Sequence, residues 1–187
     1  EVGTVTQSSK ILACAMAEQI NGSLQVIEFG AGTGAVTAQI LKRLPENGQL
    51  TCFEINPKFC KDLMKINDPR LKVVNDDARN CEKYVEHLEC IVSGLPLVLF
   101  NKPEREEILQ IASKAKRFIQ LQYSPLLKQT LKNYFLEVKI KFVPLNIPPA
   151  FVHICKFGRM AHLLDGEAEA ALSEEPGDKN LCGHKGA

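Results

Sequence analysis

No stretch of this 187-residue chain is both apolar and long enough to cross a bilayer. The longest uncharged run, CIVSGLPLVLF at 90–100, falls far short of the roughly 20 residues a span requires, and Gly94 and Pro96 interrupt it. The cysteines, at 14, 52, 60, 81, 90, 155 and 182, are odd in number and contain no C-x-x-C pair. That pattern argues against a disulfide framework and a structural zinc site, and fits a reducing cytosol. An excess of either charge is also lacking, with 23 basic against 22 acidic side chains. There is no internal repeat and no basic, apolar leader, so the chain reads as a piece trimmed ahead of Glu1. What is present, 45% hydrophobic and 24% charged residues, suffices for one ordinary core and hence one domain.

Apolar runs of strand length alternate with helical patterns, the rhythm of βαβ units around a parallel sheet, so the expected class is α/β. Strands are predicted at 25–29, 50–54, 71–75, 90–93 and 117–122. Helices are predicted after Gly34, after Pro57, over 104–116 and over 125–134, with another ahead of the first strand capped by Ser8 or Ser9. Two further extended runs, VKIKFV and AFVHICKF, are joined by PLNIPP, whose prolines impose an extended turn. From Gly158 onward the chain has six acidic against three basic residues and loses its apolar periodicity. Residues 158–187 are therefore expected to be a disordered acidic tail, and residues 1–157 the folded domain, with 1–20 an N-terminal helical segment and 25–157 the core.

The most informative stretch is VIEFGAGTGAVTAQIL, which places three glycines within five residues directly behind a strand. A glycine-rich turn between a strand and a helix lets backbone N–H groups approach a ligand closely. Gly30-x-Gly32-x-x-Ala35 satisfies the loose dinucleotide form, so a pyrophosphate is one candidate. The other is S-adenosylmethionine, whose ammonium and sulfonium suit the carboxylate of Glu28, whereas a pyrophosphate would be repelled. Glu28 thus favours the methyl donor. Glu54, ending the second strand, can accept both ribose hydroxyls of either cofactor, and Asp77, ending the third, can accept from an adenine amino group; Asp76 reads as a turn residue. His87 and His153 read as ordinary histidines without a role.

The motifs EFGAGTG, CFEINP and NDDA, within residues 25–80, resemble those of class I S-adenosylmethionine-dependent methyltransferases. GTVTQSSKILACAMA, VSGLPL, FIQLQYSP and NIPPAFVHICKF extend the similarity over residues 2–157 to bacterial phospholipid N-methyltransferases, which methylate phosphatidylethanolamine towards phosphatidylcholine. A broader relation to rRNA adenine dimethyltransferases is also visible. In those enzymes Asn-x-Pro and an aromatic clamp a flipped base, whereas this chain has Ser93-Gly94-Leu95-Pro96-Leu97. The resemblance implies a seven-stranded Rossmann-like sheet of order 3-2-1-4-5-7-6. It also implies a cofactor set of Glu28, Gly30, Ala31, Gly32, Thr33, Gly34, Glu54, Ile55, Asp77, Ala78 and Ser93. No metal is implied.

Attack of an amine on a sulfonium methyl needs a neutral lone pair and alignment more than covalent help. The expected substrate site is the turn Ser93, Gly94, Leu95 and Pro96, whose backbone carbonyls hold the amine or take its proton through water. Tyr123 adds a hydroxyl acceptor and an aromatic face for a methylated ammonium. The expected substrate is a phospholipid reached by a monomer on an anionic membrane, placed on the inner face of the bacterial membrane. RNA adenine or small-molecule amine methylation, or a non-catalytic cofactor-binding module, are the alternatives. Seven cations within residues 111–141 (Lys114, Lys116, Arg117, Lys128, Lys132, Lys139, Lys141) face a single acid, Glu137, and predict a cationic surface, with Ile11 and Leu12 dipping into the lipid interface.

Overall fold

The computed structural model of the protein describes residues 10–158. Seven strands, β1 (Gln25–Phe29), β2 (Gln49–Phe53), β3 (Leu71–Val74), β4 (Cys90–Ser93), β5 (Arg117–Gln122), β6 (Phe135–Val143) and β7 (Ala150–Gly158), form one sheet of order β3-β2-β1-β4-β5-β7-β6. The first five strands are parallel, and β7 runs antiparallel to both β5 and β6. β6 therefore points the same way as β5. The helices are α1 (Lys10–Ala17), α2 (Ala35–Leu41), α3 (Pro57–Leu63), α4 (Lys102–Ala112) and α5 (Lys128–Leu131), with short 3-10 turns at Glu18–Ile20, Ala78–Lys83 and Pro125–Leu127.

Strand alternation sorts the core into two layers. Leu12, Met16, Ile40 and Leu63 of α1, α2 and α3 pack on Val26, Leu50, Cys52 and Val92, while Ile108, Leu109 and Leu131 of α4 and α5 pack on Ile27, Phe53, Ile91 and Phe118. Consecutive β1 residues thus serve opposite layers, and both layers being apolar explains why the central strands read as continuous hydrophobic runs.

Most predicted elements are present with shifted ends. α4 starts earlier than 104 because Asn101 caps it and Glu104 returns a bond to the cap, a capping box that encloses Pro103 in the first turn. The region expected to be helical over 125–134 is a 3-10 turn and one α-turn, and β6 begins at Phe135, ahead of VKIKFV, where the Phe135 ring stacks on Phe118 at 5.5 Å. Gly158, placed at the head of the tail by composition, is the last residue of β7; the remaining tail and the Ser8 or Ser9 cap lie outside the described residues. Among the described residues no helix is long and apolar enough to cross a membrane.

Candidate active site

The strand order reverses between β1 and β4, and ligands of open α/β sheets bind beyond the carboxyl ends of strands at such a point. The connections reaching this edge follow β1 to β5, and because β6 parallels β5 the segment 144–149 reaches it too.

The glycine turn is anchored to its neighbours by backbone bonds: Gly30 donates to the Phe53 carbonyl and Gly94 to the Phe29 carbonyl, each at 2.9 Å. Gly30, Gly32 and Gly34 have φ of +70°, +53° and +82°, a region costly for side chains. A Cβ on Gly30 would stand 2.8 Å from Leu95 Cδ2, so the glycine lets the turn after β4 close against the glycine turn. A Cβ on Gly32 would meet nothing within 4 Å, which leaves open room above the turn. Gly30→Ala should cost about 1 to 2 kcal/mol through the left-handed backbone alone, and it should also displace Leu95. Urea unfolding checks this, and a variant as stable as the parent would contradict the turn conformation.

Glu54 is buried at the head of this space. Its Oε2 accepts from the Gly32 N–H and its Oε1 from the Asn56 N–H, both at 2.8 Å, so one carboxylate ties the glycine turn to the end of β2. Ile55, next to it, is 70% exposed and offers an apolar face at the same edge. Such an arrangement fits a nucleoside, with ribose hydroxyls at the carboxylate and a base against the isoleucine. Ala31 is buried at the foot of the turn and Thr33 lies at its crest between Gly32 and Gly34.

Glu28 differs from expectation. It projects not into the open edge but into the layer beneath α2, where it is 2% exposed and accepts from Thr37 Oγ1 at 2.7 Å and from Cys52 Sγ at 3.1 Å. Burial pushes its carboxyl up to about 7 despite these bonds. The reason is register: Phe29 and Ile27 occupy one layer, so Glu28 must take the other. Its side-chain partners lie on α2, which follows the glycine turn, and on β2.

Asp77 caps the 3-10 turn that starts at Ala78, its Oδ1 accepting from the Arg79 N–H at 2.9 Å, and Arg79 grips both carboxylate oxygens at 3.0 and 2.8 Å. The Arg79 guanidinium holds this carboxyl below the ordinary range. Oδ2 has one partner and keeps a lone pair for an amino group. Asp76 instead binds Asn80 and the Tyr84 hydroxyl, a turn residue as its sequence position suggested.

The turn after β4, expected to be the substrate site, is more constrained than the sequence showed. The Leu95 carbonyl accepts from both the Leu97 N–H at 2.9 Å and Gln120 Nε2 at 2.8 Å, and the Pro96 carbonyl accepts from the Leu99 N–H at 2.8 Å. The Leu95 carbonyl, with two donors, has no lone pair left to offer and the Pro96 carbonyl keeps one; Gly94 has the carbonyl with no partner among the described residues. Ser93 is buried, and its Oγ accepts from the Leu95 N–H at 3.3 Å. Tyr123 follows β5 at the same edge and is 39% exposed. Gln120 was missed. The visible signal was two glutamines alternating in the otherwise apolar RFIQLQ, which puts both on one buried face. His153 is buried directly opposite Gln120, and burial lowers its pKa, so it stays neutral beneath the turn.

Sheet order, glycine turn and strand-end acids define a class I S-adenosylmethionine-dependent methyltransferase. The chain belongs to the ribosomal RNA adenine dimethylase family, whose model matches residues 8–121. One relative, the ornithine lipid N-methyltransferase of Singulisphaera acidiphila, is 29% identical over 143 residues, 70% of this chain and 74% of that enzyme. Among solved structures, precorrin-6y C5,15-methyltransferase from Geobacter metallireducens aligns over 83% of this chain and 92% of its own with a TM-score of 0.65 and 14% identity. The 23S rRNA methyltransferase ErmE aligns over 89% and 78% with a TM-score of 0.57 and 18% identity. At those identities the structural likenesses establish the fold alone, and S-adenosylmethionine is the cofactor of the class.

Proposed function

We propose that the enzyme N-methylates the amine of a lipid head group, with phosphatidylethanolamine and its methylated derivatives as the substrate series. The observation that carries this reading is the turn after β4. Leu97 is fully buried and Leu95 lies against Gly30, so the turn presents no aromatic ring or side-chain amide to sandwich an extruded base. The sequence relation to an ornithine lipid N-methyltransferase supports a lipid amine as the acceptor class.

The cofactor supplies an electrophilic methyl group on a sulfonium when bound. Glu54, Ile55, Asp77, Ala78 and the Gly30–Gly34 turn hold its nucleoside and amino-acid ends, and Glu28 acts through α2, which follows that turn. Ser93 and Gln120 hold the turn after β4, and its unpartnered Gly94 carbonyl is the acceptor for the amine. The amine arrives neutral, its proton passes to water at the Gly94 carbonyl, and Tyr123 lies beside the increasingly methylated nitrogen.

Labelled methyl donor offered with bacterial lipid extract or with total RNA separates lipid methylation from the base methylation that the family name suggests; label confined to RNA overturns the lipid reading. Within that reading, Tyr123→Phe should lower turnover about fivefold, the loss of one net hydrogen bond, with cofactor affinity unchanged. An equal loss of both would assign Tyr123 to the scaffold.

A further inference from the structure

The cationic surface expected from residues 111–141 is not one surface. Lys114, Lys116 and Arg117 lie at the start of β5, the edge opposite the site; Lys114 pairs with Glu82, and Arg117 donates to the Gln19 carbonyl. Lys139 pairs with Glu137 and Lys141 with Glu18 on the outer strand β6. Leu12, expected to dip into lipid, is fully buried, and only Ile11 of that pair is exposed.

A different set of residues gathers around the site. Among the described residues, the large apolar side chains at least 70% exposed are Ile55, Leu99, Leu126, Leu145 and Ile147, and all five lie in connections at the site edge. Ile55 belongs to the cofactor crevice. The other four come from three separate connections, after β4, β5 and β6, and ring the substrate side. Less exposed apolar side chains such as Leu136 and Phe157 lie at the opposite edge, so it is the most exposed ones that concentrate here, where a water-facing loop gains nothing from them. The rim continues into an open groove of about 460 Å3 between α1 and the end of β6, with Ile11, Ala15, Phe142 and Leu145 among its apolar lining and Lys10, Glu18 and Lys141 among its charged lining. The first or second residue of α1, α3, α4 and α5 is an exposed lysine: Lys10, Lys58, Lys102 and Lys128. The last three helices follow parallel strands and so begin at this edge, and α1 begins there too, because its far end meets the start of β5. Lys102 also pairs with Glu106 at 3.8 Å, while Lys10, Lys58 and Lys128 make no ion pair among the described residues and leave their charge to solvent or a ligand.

We propose that this edge docks on an anionic bilayer, with Leu99, Leu126, Leu145 and Ile147 entering the apolar interface and the lysine ring meeting lipid phosphates. The proposal rests on the lipid reading above and explains how an enzyme with no described membrane-spanning helix reaches a head-group amine. Apolar side chains in the interface with cations around them are the pattern of surface-bound proteins, and the electrostatic part is screened by salt.

The chain contains no tryptophan, so single substitutions report cleanly. With vesicles of phosphatidylglycerol and phosphatidylethanolamine in equal parts, Leu126→Trp and Leu145→Trp should each show a blue-shifted emission that brominated lipid quenches. Leu24→Trp, at the opposite edge just before β1, should show neither. Leu126→Glu with Leu145→Glu should weaken vesicle cosedimentation at least about tenfold, and methylation of a water-soluble short-chain phosphatidylethanolamine should stay within about twofold because the reacting groups are untouched. Rim tryptophans that do not shift, shift equally with Leu24→Trp, or respond to RNA instead of vesicles overturn the docking face. Failure of the parent enzyme to methylate the short-chain lipid overturns the lipid reading itself, whatever the vesicles show.

Discussion

Glu54→Ala is expected to weaken S-adenosylmethionine binding about 100-fold, or about 3 kcal/mol, as measured by calorimetry. The size follows from two losses at one carboxylate. Both ribose hydroxyls lose a charged acceptor, each such bond being worth about 1.5 to 3 kcal/mol and partly replaced by water. The Gly32 and Asn56 N–H groups also lose the oxygens that hold the glycine turn against β2. Glu54→Gln keeps the volume but turns one acceptor into a donor facing an N–H, so it should fall between the two. Far-UV spectra should stay unchanged, since the strand ladder between β1 and β2 does not depend on this side chain. An unchanged dissociation constant in the alanine variant would remove Glu54 from the cofactor site.

The second large effect is on stability and depends on pH through Glu28. In the unfolded chain its carboxyl ionises near 4.5, whereas burial raises it to about 7 in the folded protein. Between those values the folded state holds more protons than the unfolded state, so stability falls as pH rises from about 4.5 to about 7 and levels off above. Two and a half pH units correspond to about 3 kcal/mol. Glu28→Gln carries no ionisable group, and Thr37 Oγ1 and Cys52 Sγ remain within reach of its amide. Relative to the parent, the variant should therefore gain about 2.5 kcal/mol between pH 5 and pH 8 in urea unfolding. Parallel pH profiles for the two proteins would show that Glu28 titrates normally.

Both predictions depend on a carboxylate that the sequence located and the structure oriented. The strands, the glycine turn behind β1 and the acids at the ends of β2 and β3 were legible because each is a local pattern: apolar runs, a glycine spacing, a charge just past a strand. The capping box of α4 was equally present as Asn101 and Glu104, though the predicted helix began at the second of them. The antiparallel return of β7 between β5 and β6 was legible only through family resemblance, since nothing in a strand's own residues says which neighbour it will take.

What the sequence by itself determined was an α/β methyltransferase fold with a glycine turn and acids at the carboxyl ends of its strands. The tertiary structure decided how those strand ends are held and what surrounds them. Gln120 fills the Leu95 carbonyl from 25 positions away, leaving Gly94 as the free acceptor. Register turns Glu28 beneath α2, the strand directions separate lysines that are neighbours in sequence, and three connections far apart in the chain form one apolar rim. The physical reason is common to all of them: periodicity fixes which face of an element is buried, but the crossover connections of the sheet choose which distant groups share that face or edge, and local propensity carries no record of that choice.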